Sequence, residues 1–317
     1  MQDRRTPSEY AVPLKGRFAP SPTGRMHAGN VFSAFVAWLT AKASGGTIVL
    51  RIEDLDKERS KACFIDDVQR DFERLGLYWD EGPYFQHGRD EAYAAAFEEL
   101  RRRDLIYPCF CTRADLHAAS APHHGEKLVY PGTCRGLDEA MRAARAASRT
   151  PAQRLAVPDE TVSFIDGIQG PYEQNLAREC GDFLVRRSDG AFAYQLAVVV
   201  DDAEQGVTSV VRGVDLLCST PQQMYLQSLL GLKHPAYAHV PLIVAEHDRR
   251  LSKRDKDAAL DALLERFGSP RALIGHIAGI TGLAPTCEPA SPEELLETFD
   301  PEALPRTLVD LEQIRWR

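Results

Sequence analysis

The segment Arg17-Phe18-Ala19-Pro20-Ser21-Pro22-Thr23-Gly24, with His27-Ala28-Gly29-Asn30 just after it, carries the residue types of an anion site. A Gly/Pro-rich turn between a strand and a helix leaves backbone N–H groups free. It also aims the positive end of the helix dipole at whatever lies before it. His27 and Gly29 fall at that helix start. Imidazole can donate to phosphate oxygens, and glycine lets a flat ring or a phosphate approach the main chain. A second group, Arg249-Arg250-Leu251-Ser252-Lys253-Arg254, follows the strand-like Val240 to Ala245. Cations clustered near the carboxyl ends of sheet strands suit a polyphosphate. Taken singly, the first segment reads equally as an ordinary turn and the second as a solvated basic run.

A third group is Cys109-x-Cys111 with Cys134 further on, in an aperiodic stretch rich in Pro, Gly and His. Three cysteines so placed suggest a tetrahedral zinc site lacking one ligand. Ligand chemistry alone points to His123 or His124 as the fourth. Cys63, Cys180, Cys218 and Cys287 have no comparable neighbours and read as buried thiols or bystanders.

The elements that must position these groups follow from periodicity. Gly16 to Ala19 reads as a strand. Val31, Phe32, Phe35, Val36 and Leu39 recur at helical spacing in a helix that stops before Gly45-Gly46. Thr47 to Glu53 alternates, with Ile48, Leu50 and Ile52 on one face and Arg51 and Glu53 on the other. Strand, Gly-containing loop, helix and strand make a βαβ unit, so the expected fold is α/β with a Rossmann-like parallel sheet. Amphipathic helices are expected at about Ile65 to Leu75 and Asp90 to Arg103. From Tyr107 to about Arg135 the character changes, as in an inserted module. Strands are expected again at Phe183 to Arg187, Tyr194 to Val200 and Val207 to Arg212, and a helix at Pro221 to Leu230. The end of the chain carries helical runs, Ala258 to Phe267 and Ala272 to Ile280, broken by prolines. The resulting plan is a flexible leader at 1–14, a first half of the catalytic domain at 15–105, a zinc-containing insertion at 106–180, a second half at 181–245, and a basic loop with a short helical tail at 246–317.

Composition sets outer limits. The chain has 317 residues, room for about two domains of ~150 residues. Its formal net charge is −8, which excludes a generally basic nucleic-acid coat but leaves room for local patches. Ala191 to Val200, interrupted by Gln195, is far short of the roughly 20 apolar residues a membrane-spanning helix needs. No secretory signal is visible, and seven cysteines without one argue for a reducing, cytoplasmic setting. No GxGxxG follows the first strand, so a dinucleotide-binding oxidoreductase is the weakest reading.

Read together, the motifs resemble the class I glutamyl-tRNA synthetase family. RFAPSPTG at Arg17 to Gly24 with His27-Ala28-Gly29-Asn30 is similar to its HIGH signature, and RLSKR at Arg250 to Arg254 to its KMSKS signature. RIEDLD at Arg51 to Asp56, LGLYWDEGP at Leu75 to Pro83, VVVDD at Val198 to Asp202 and RGVDLLCST at Arg212 to Thr220 resemble the blocks between them. The departures are Asn30 for the second His of the first signature, and Arg250 and Arg254 for the first Lys and last Ser of the second.

The resemblance implies that glutamate is joined to ATP, giving glutamyl-adenylate and pyrophosphate. Such an in-line displacement needs alignment and stabilisation of growing phosphate charge more than proton chemistry. His27 and Lys253 are the implied catalytic residues. His27, Gly29, Asn30, Arg250, Leu251, Ser252 and Lys253 would hold ATP, with Mg2+ bridging phosphates. Two carboxylates and one ammonium call for two guanidinium forks, an acid and a hydroxyl. The family pattern supplies these at Arg17, Arg212, Glu53 and Tyr194, with Phe18, Ala19, Pro20 and Ser21 closing over the amino acid. The plain alternatives are Arg51 satisfying Glu53, and Tyr194 in ordinary sheet packing.

The CxC…Yx3C arrangement is similar to that of the glutamyl-Q tRNA(Asp) synthetases, a family of short paralogues in which a tyrosine, here Tyr130, completes the sphere around one structural zinc. Only residues 254–317 follow Lys253, too few for the helical anticodon-binding domains of a full glutamyl-tRNA synthetase. The implied acceptor is then queuosine in the anticodon of tRNA(Asp), with activation independent of tRNA and a monomeric enzyme. A truncated glutamyl-tRNA synthetase charging the 3′ end of tRNA(Glu) is the second reading. A non-catalytic regulator that binds tRNA or an amino acid is a third, against which the retention of His27, Gly29, Lys253 and the glutamate-pocket set speaks.

Overall fold

The first strand and its neighbours set the frame. In a computed structural model that describes residues 13–56, 58–112, 115, 129–244, 259–306 and 314–315, β1 (Lys15–Phe18), β2 (Thr47–Ile52) and β3 (Glu81–Phe85) form a parallel sheet in the order β1-β2-β3. Helix α1 (Ala28–Ala43) crosses between β1 and β2, and α2 (Ala62–Arg74) between β2 and β3. α1 is buried along most of its length, including Phe32, Phe35, Val36 and Leu39, because it packs against the sheet on one side and the end of the chain on the other. β2 was expected to bury one face; it buries both, as strands of parallel sheets covered by helices do. Arg51 is thereby 0% exposed.

α3 (Asp90–Arg102) leads to β4 (Ile106–Cys109), α4 (Glu139–Ala146) and β5 (Ala152–Leu155), then the hairpin β6 (Thr161–Asp166) and β7 (Gly170–Asn175), and β8 (Phe183–Arg186). β4, β5 and β8 form an antiparallel sheet in that order. β8, expected to open the second half of the parallel sheet, pairs instead with β5 in this antiparallel sheet.

Residues Tyr194 to Val200, expected as a strand, are the start of a helix, α5 (Tyr194–Glu204). The apolar run misleads because this helix is enclosed: Leu196, Ala197, Val198, Val199 and Val200 are all buried, in a core shared with α3, β8 and α6 (Thr220–Leu229). A helix buried on every side shows no amphipathic period, and a short apolar run cannot be assigned from periodicity alone. The chain returns to parallel pairing with β9 (Ser209–Gly213) and β10 (Ala236–Val240). Thr208 N–H donates to Lys15 O at 2.9 Å, and Arg17 Nη1 to Val211 O at 3.2 Å, so β9 runs alongside β1 in the same sense. β1 is thus flanked by β2 on one side and β9 on the other. That is a topological switch point, where ligands of open α/β sheets bind at the carboxyl ends of the strands.

β11 (Ile243–Val244) pairs with β12 (Ile314–Arg315). α7 (Leu260–Phe267), α8 (Pro270–Ile280) and α9 (Pro292–Leu296) complete the described chain. Leu263, Leu273, Ile274 and Ile277 of these helices join the same core as α1 and β2, so the expected tail is a wall of the sheet domain. No described helix is long and apolar enough to cross a membrane.

Candidate active site and cysteine cluster

A cavity of about 460 Å3 opens at the carboxyl ends of β1 and β9. Arg17, Phe18, Ala19, Pro20, Ser21, Glu53, Tyr194 and Arg212 line it, as do His27, Gly29 and Asn30. The structure therefore brings together every described residue that the sequence pointed to for amino acid or nucleotide. Arg250, Leu251, Ser252, Lys253 and Arg254 lie outside the described residues, but both flanks of that segment reach the site. Ile243 of β11 lines the cavity. On the other flank, Ala259 forms an antiparallel bridge with His27, and Leu260 N–H donates to Met26 O at 2.9 Å.

The Pro20–Gly24 turn is tied to β2 by Glu53 N–H donating to Pro20 O at 2.9 Å. His27 is the N-cap of α1. Asn30 Oδ1 accepts from His27 N–H at 3.3 Å, so Asn30 closes the first turn and steadies the main chain on which the imidazole stands.

Beneath the cavity floor is a charge network. Arg51 Nη2 lies 2.8 Å from Asp202 Oδ1 and 3.4 Å from Glu53 Oε1, while Arg17 Nε lies 3.6 Å from the same Asp202 oxygen. Asp201 takes up the next layer, accepting from Gln86 Nε2 at 2.7 Å and Tyr93 OH at 2.9 Å. Burial lowers the Arg17 guanidinium from its ordinary value, with Asp202 opposing, and raises the Glu53 carboxyl, with Arg51 and Arg17 opposing. Burial also pushes the Tyr194 phenol up. For Arg51 the carboxylates outweigh burial and hold its guanidinium above the usual range. Arg51 does satisfy Glu53, its neighbour two residues along the chain just past the end of β2.

Asp201 and Asp202 went unassigned from sequence, although two adjacent acids ending an apolar run are a usable signal of buried pairing. The helix is what delivers them. Over eight residues it advances about 12 Å, against about 26 Å for a strand, so Tyr194 and Asp202 both serve one site.

Arg212 is held differently. It forms no ion pair with a described carboxylate. Its Nε donates to His239 Nε2 at 3.0 Å and its Nη2 to Thr220 Oγ1 at 2.9 Å. Its Nη1 is buried without a hydrogen-bond partner among the described residues. His239 and Thr220 were not singled out from sequence either.

At and beyond the end of β4, Cys109, Cys111 and Cys134 place their sulfurs within 4.8 Å of one another. Tyr130 OH lies 3.4 Å from Cys109 Sγ and 3.9 Å from Cys111 Sγ, and accepts from Cys134 N–H at 2.9 Å. Arg154 Nε donates to Cys109 Sγ at 3.2 Å, and Arg145 Nη1 to Cys134 Sγ at 3.6 Å. Burial works against a Cys109 thiolate, but hydrogen bonds from Tyr130 and Arg154 lower the thiol below its ordinary value. Burial and the neighbouring Cys109 push Cys111 up to about 11. Gly181 bridges to Tyr130 with φ +67°, and a Cβ there would come within 2.7 Å of Tyr130 O. Only glycine fits both the conformation and the approach. His123 and His124 lie outside the described residues. Of the remaining cysteines, Cys63 and Cys287 are exposed rather than buried.

The chain is similar to several known proteins. The family described as "tRNA synthetases class I (E and Q), catalytic domain" matches residues 13–307. A glutamyl-Q tRNA(Asp) synthetase of Symbiobacterium thermophilum is 46% identical over 305 residues, covering 92% of this chain and 94% of the relative. One from Thiobacillus denitrificans is 47% identical over 290 residues, covering 89% and 90%. Among solved structures, a glutamate tRNA ligase of Elizabethkingia meningosepticum, in complex with its amino acid, superposes with a TM-score of 0.81 at 26% identity. It covers 96% of this chain and 67% of that one.

Proposed function

Since the chain belongs to the glutamyl-Q tRNA(Asp) synthetase family of class I tRNA synthetases (E and Q), ligases of the aminoacyl-tRNA synthetase type, we propose that it activates glutamate with ATP without tRNA and passes it to queuosine in the anticodon of tRNA(Asp). One observation supports the amino-acid half above all. Arg212 lines the cavity together with Arg17 and Glu53, and its Nη1 is buried with no hydrogen-bond partner among the described residues. A buried guanidinium edge with no carboxylate of its own favours an anionic ligand. Arg17 and Arg212 then take the two carboxylates of glutamate, Glu53 the ammonium and Tyr194 a further polar contact. The Phe18 to Ser21 turn covers the amino acid.

In the first step a carboxylate oxygen of glutamate attacks the α-phosphorus of ATP in line, and the bond to pyrophosphate breaks. The protein's part is alignment and charge stabilisation. His27, at the positive end of α1, and Gly29 and Asn30 beside it face the nucleotide. Arg250, Leu251, Ser252 and Lys253 add cationic and main-chain contacts, with Lys253 stabilising the charge that grows on the phosphates. Magnesium accompanies ATP and neutralises phosphate charge when bound.

The cysteine cluster fits a structural zinc. Tetrahedral Zn–S bonds of about 2.3 Å put sulfurs about 3.8 Å apart, and Cys111 Sγ lies 3.7 Å from Cys134 Sγ. Cys109, Cys111, Cys134 and Tyr130 would hold the ion, Arg154 and Arg145 offsetting the anionic ligands. When bound, zinc supplies a cross-link between β4 and the Tyr130–Cys134 turn.

Two assays test the reading. Glutamate-dependent pyrophosphate exchange should proceed without tRNA, and no exchange removes the enzymatic reading. Glutamate should be transferred to tRNA(Asp) carrying queuosine and not to the unmodified tRNA. Equal charging of both overturns the queuosine assignment in favour of attachment at a tRNA 3′ end.

A further inference from the structure

Arg212 and His239 are register partners on adjacent parallel strands, so their side chains leave the same face of the sheet side by side. His239 is completely buried. Its Nδ1 lies 2.5 Å from Asp166 Oδ2. Asp166 ends β6, and its Oδ1 accepts from the main-chain N–H groups of Ile168, Gln169 and His239 at 3.0, 2.9 and 3.0 Å. A carboxylate so saturated stays ionised and accepts a hydrogen bond from Nδ1–H, which leaves Nε2 as a lone pair. That lone pair accepts from Arg212 Nε–H at 3.0 Å and from the Thr220 hydroxyl at 3.3 Å. The hydroxyl oxygen in turn accepts from Arg212 Nη2 at 2.9 Å. Nε and Nη2 of the guanidinium are therefore engaged, and Nη1 is buried with no hydrogen-bond partner among the described residues.

We propose that His239, oriented by Asp166, is a positioning residue for the amino-acid substrate, its neutral Nε2 holding Arg212 so that Nη1 faces the ligand. The proposal rests on Arg212 binding a glutamate carboxylate. An imidazole in this place does what a carboxylate could not. It fixes the guanidinium geometry and leaves its full positive charge for the substrate. Gaining a proton at Nε2 would remove the acceptor and set two cations against each other. The groups facing His239 are Asp166 and Gln169 from the β6–β7 hairpin, Arg212 from β9, Tyr237 on its own strand, Thr220 from α6 and, at longer range, the charge of Arg17. Burial, with Arg212 and Arg17, lowers the His239 pKa from its ordinary value against the pull of Asp166.

The test is pyrophosphate exchange across pH 5.5 to 8, with glutamate and ATP varied separately. Asp166→Asn turns an acceptor into a donor, flips the imidazole tautomer and points Nε2–H at Arg212. It should raise the glutamate KM about tenfold while the ATP KM stays within about twofold. His239→Leu should do the same, and His239→Gln, whose amide oxygen can accept from Arg212, should restore most of the loss. In the wild type the glutamate KM should rise on the acid side, and His239→Gln should flatten that rise. A wild-type glutamate KM in Asp166→Asn and His239→Leu, beside a raised one in Arg212→Lys, overturns the proposal alone. An unchanged KM in Arg212→Lys overturns the glutamate role of Arg212, and the proposal with it. Should Asp166→Asn fail to fold, a wild-type acid-side rise in His239→Gln is enough to overturn the proposal.

Discussion

Gly29 gives the imidazole of His27 its place: a Cβ at position 29 would lie 3.2 Å from His27 Cε1 and 3.3 Å from Nδ1. Position 29 is within the first turn of α1, where alanine is the better helix former by up to about 1 kcal/mol. Gly29→Ala should therefore leave thermal stability unchanged or raised, while displacing His27 by a few tenths of an ångström. The pyrophosphate-exchange rate should drop about tenfold, as it does when a transition-state donor is misplaced. Exchange kinetics beside a melting curve check this, and a wild-type rate would dismiss the role given to His27.

Asp202 answers two arginines at once, Arg51 at 2.8 Å and Arg17 at 3.6 Å. All three are buried. Asp202→Asn keeps the shape but leaves the excess cation unbalanced, so a loss of about 3 kcal/mol is expected. Urea unfolding measures it, and a loss near zero would show that Glu53 and Asp201 suffice.

The cysteine cluster predicts about one zinc per chain by elemental analysis of the purified protein. Cys134→Ser should lose most of the metal and lower the melting temperature. Tyr130→Phe should retain zinc with weaker affinity, because three sulfurs remain. Full zinc in Cys134→Ser would refute the site.

Asp71 on α2 predicts a pH effect of known sign. Burial, with Asp261 nearby, pushes its carboxyl up to about 6, against an unfolded value near 3.8. A raised folded-state carboxyl favours the native state at low pH. Its ionisation then costs stability as pH rises through about 6. Asp71→Asn should accordingly stabilise the protein at pH 7.5, by on the order of 2 kcal/mol, and have little effect at pH 4. Part of that gain is offset because Arg74 Nη1, 3.4 Å from Asp71 Oδ1, loses an ionic partner. Equal effects at both pH values would contradict the assignment.

The first βαβ unit was legible because its period is clean: the apolar spacing of Val31 to Leu39 and the glycines after it bound α1 closely. The pocket residues were legible for another reason. Arg17, Glu53 and Arg212 lie in strands or at their ends, where motif and topology coincide. α5 was not legible, since a helix enclosed on all sides shows no polar face, and a run of three valines imitates a strand. Misreading it hid Asp201 and Asp202 from view. Asp166 and His239 escaped for a different reason. They are 73 residues apart in sequence and meet only because the β6–β7 hairpin docks on β10, with Gly167 N–H donating to Tyr237 O at 2.8 Å. No local pattern encodes that docking.

Lys253 carries the last prediction. Ile243 lines the cavity and Ala259 bridges to His27, so the described residues on either side of the basic segment both reach the site. If Lys253 stabilises charge that exists only as pyrophosphate departs, its loss should act on turnover rather than on binding. Lys253→Ala should lower kcat of exchange by about 100-fold or more, a loss of about 3 kcal/mol in the transition state, with the glutamate KM nearly unchanged. Lys253→Arg should recover only part, because a planar fork cannot take the place of a compact ammonium. Arg250→Ala, removing a cation from the same motif, should instead raise the ATP KM. Steady-state exchange with each substrate varied separates these effects, and a Lys253→Ala chain with wild-type kcat would remove Lys253 from the chemistry.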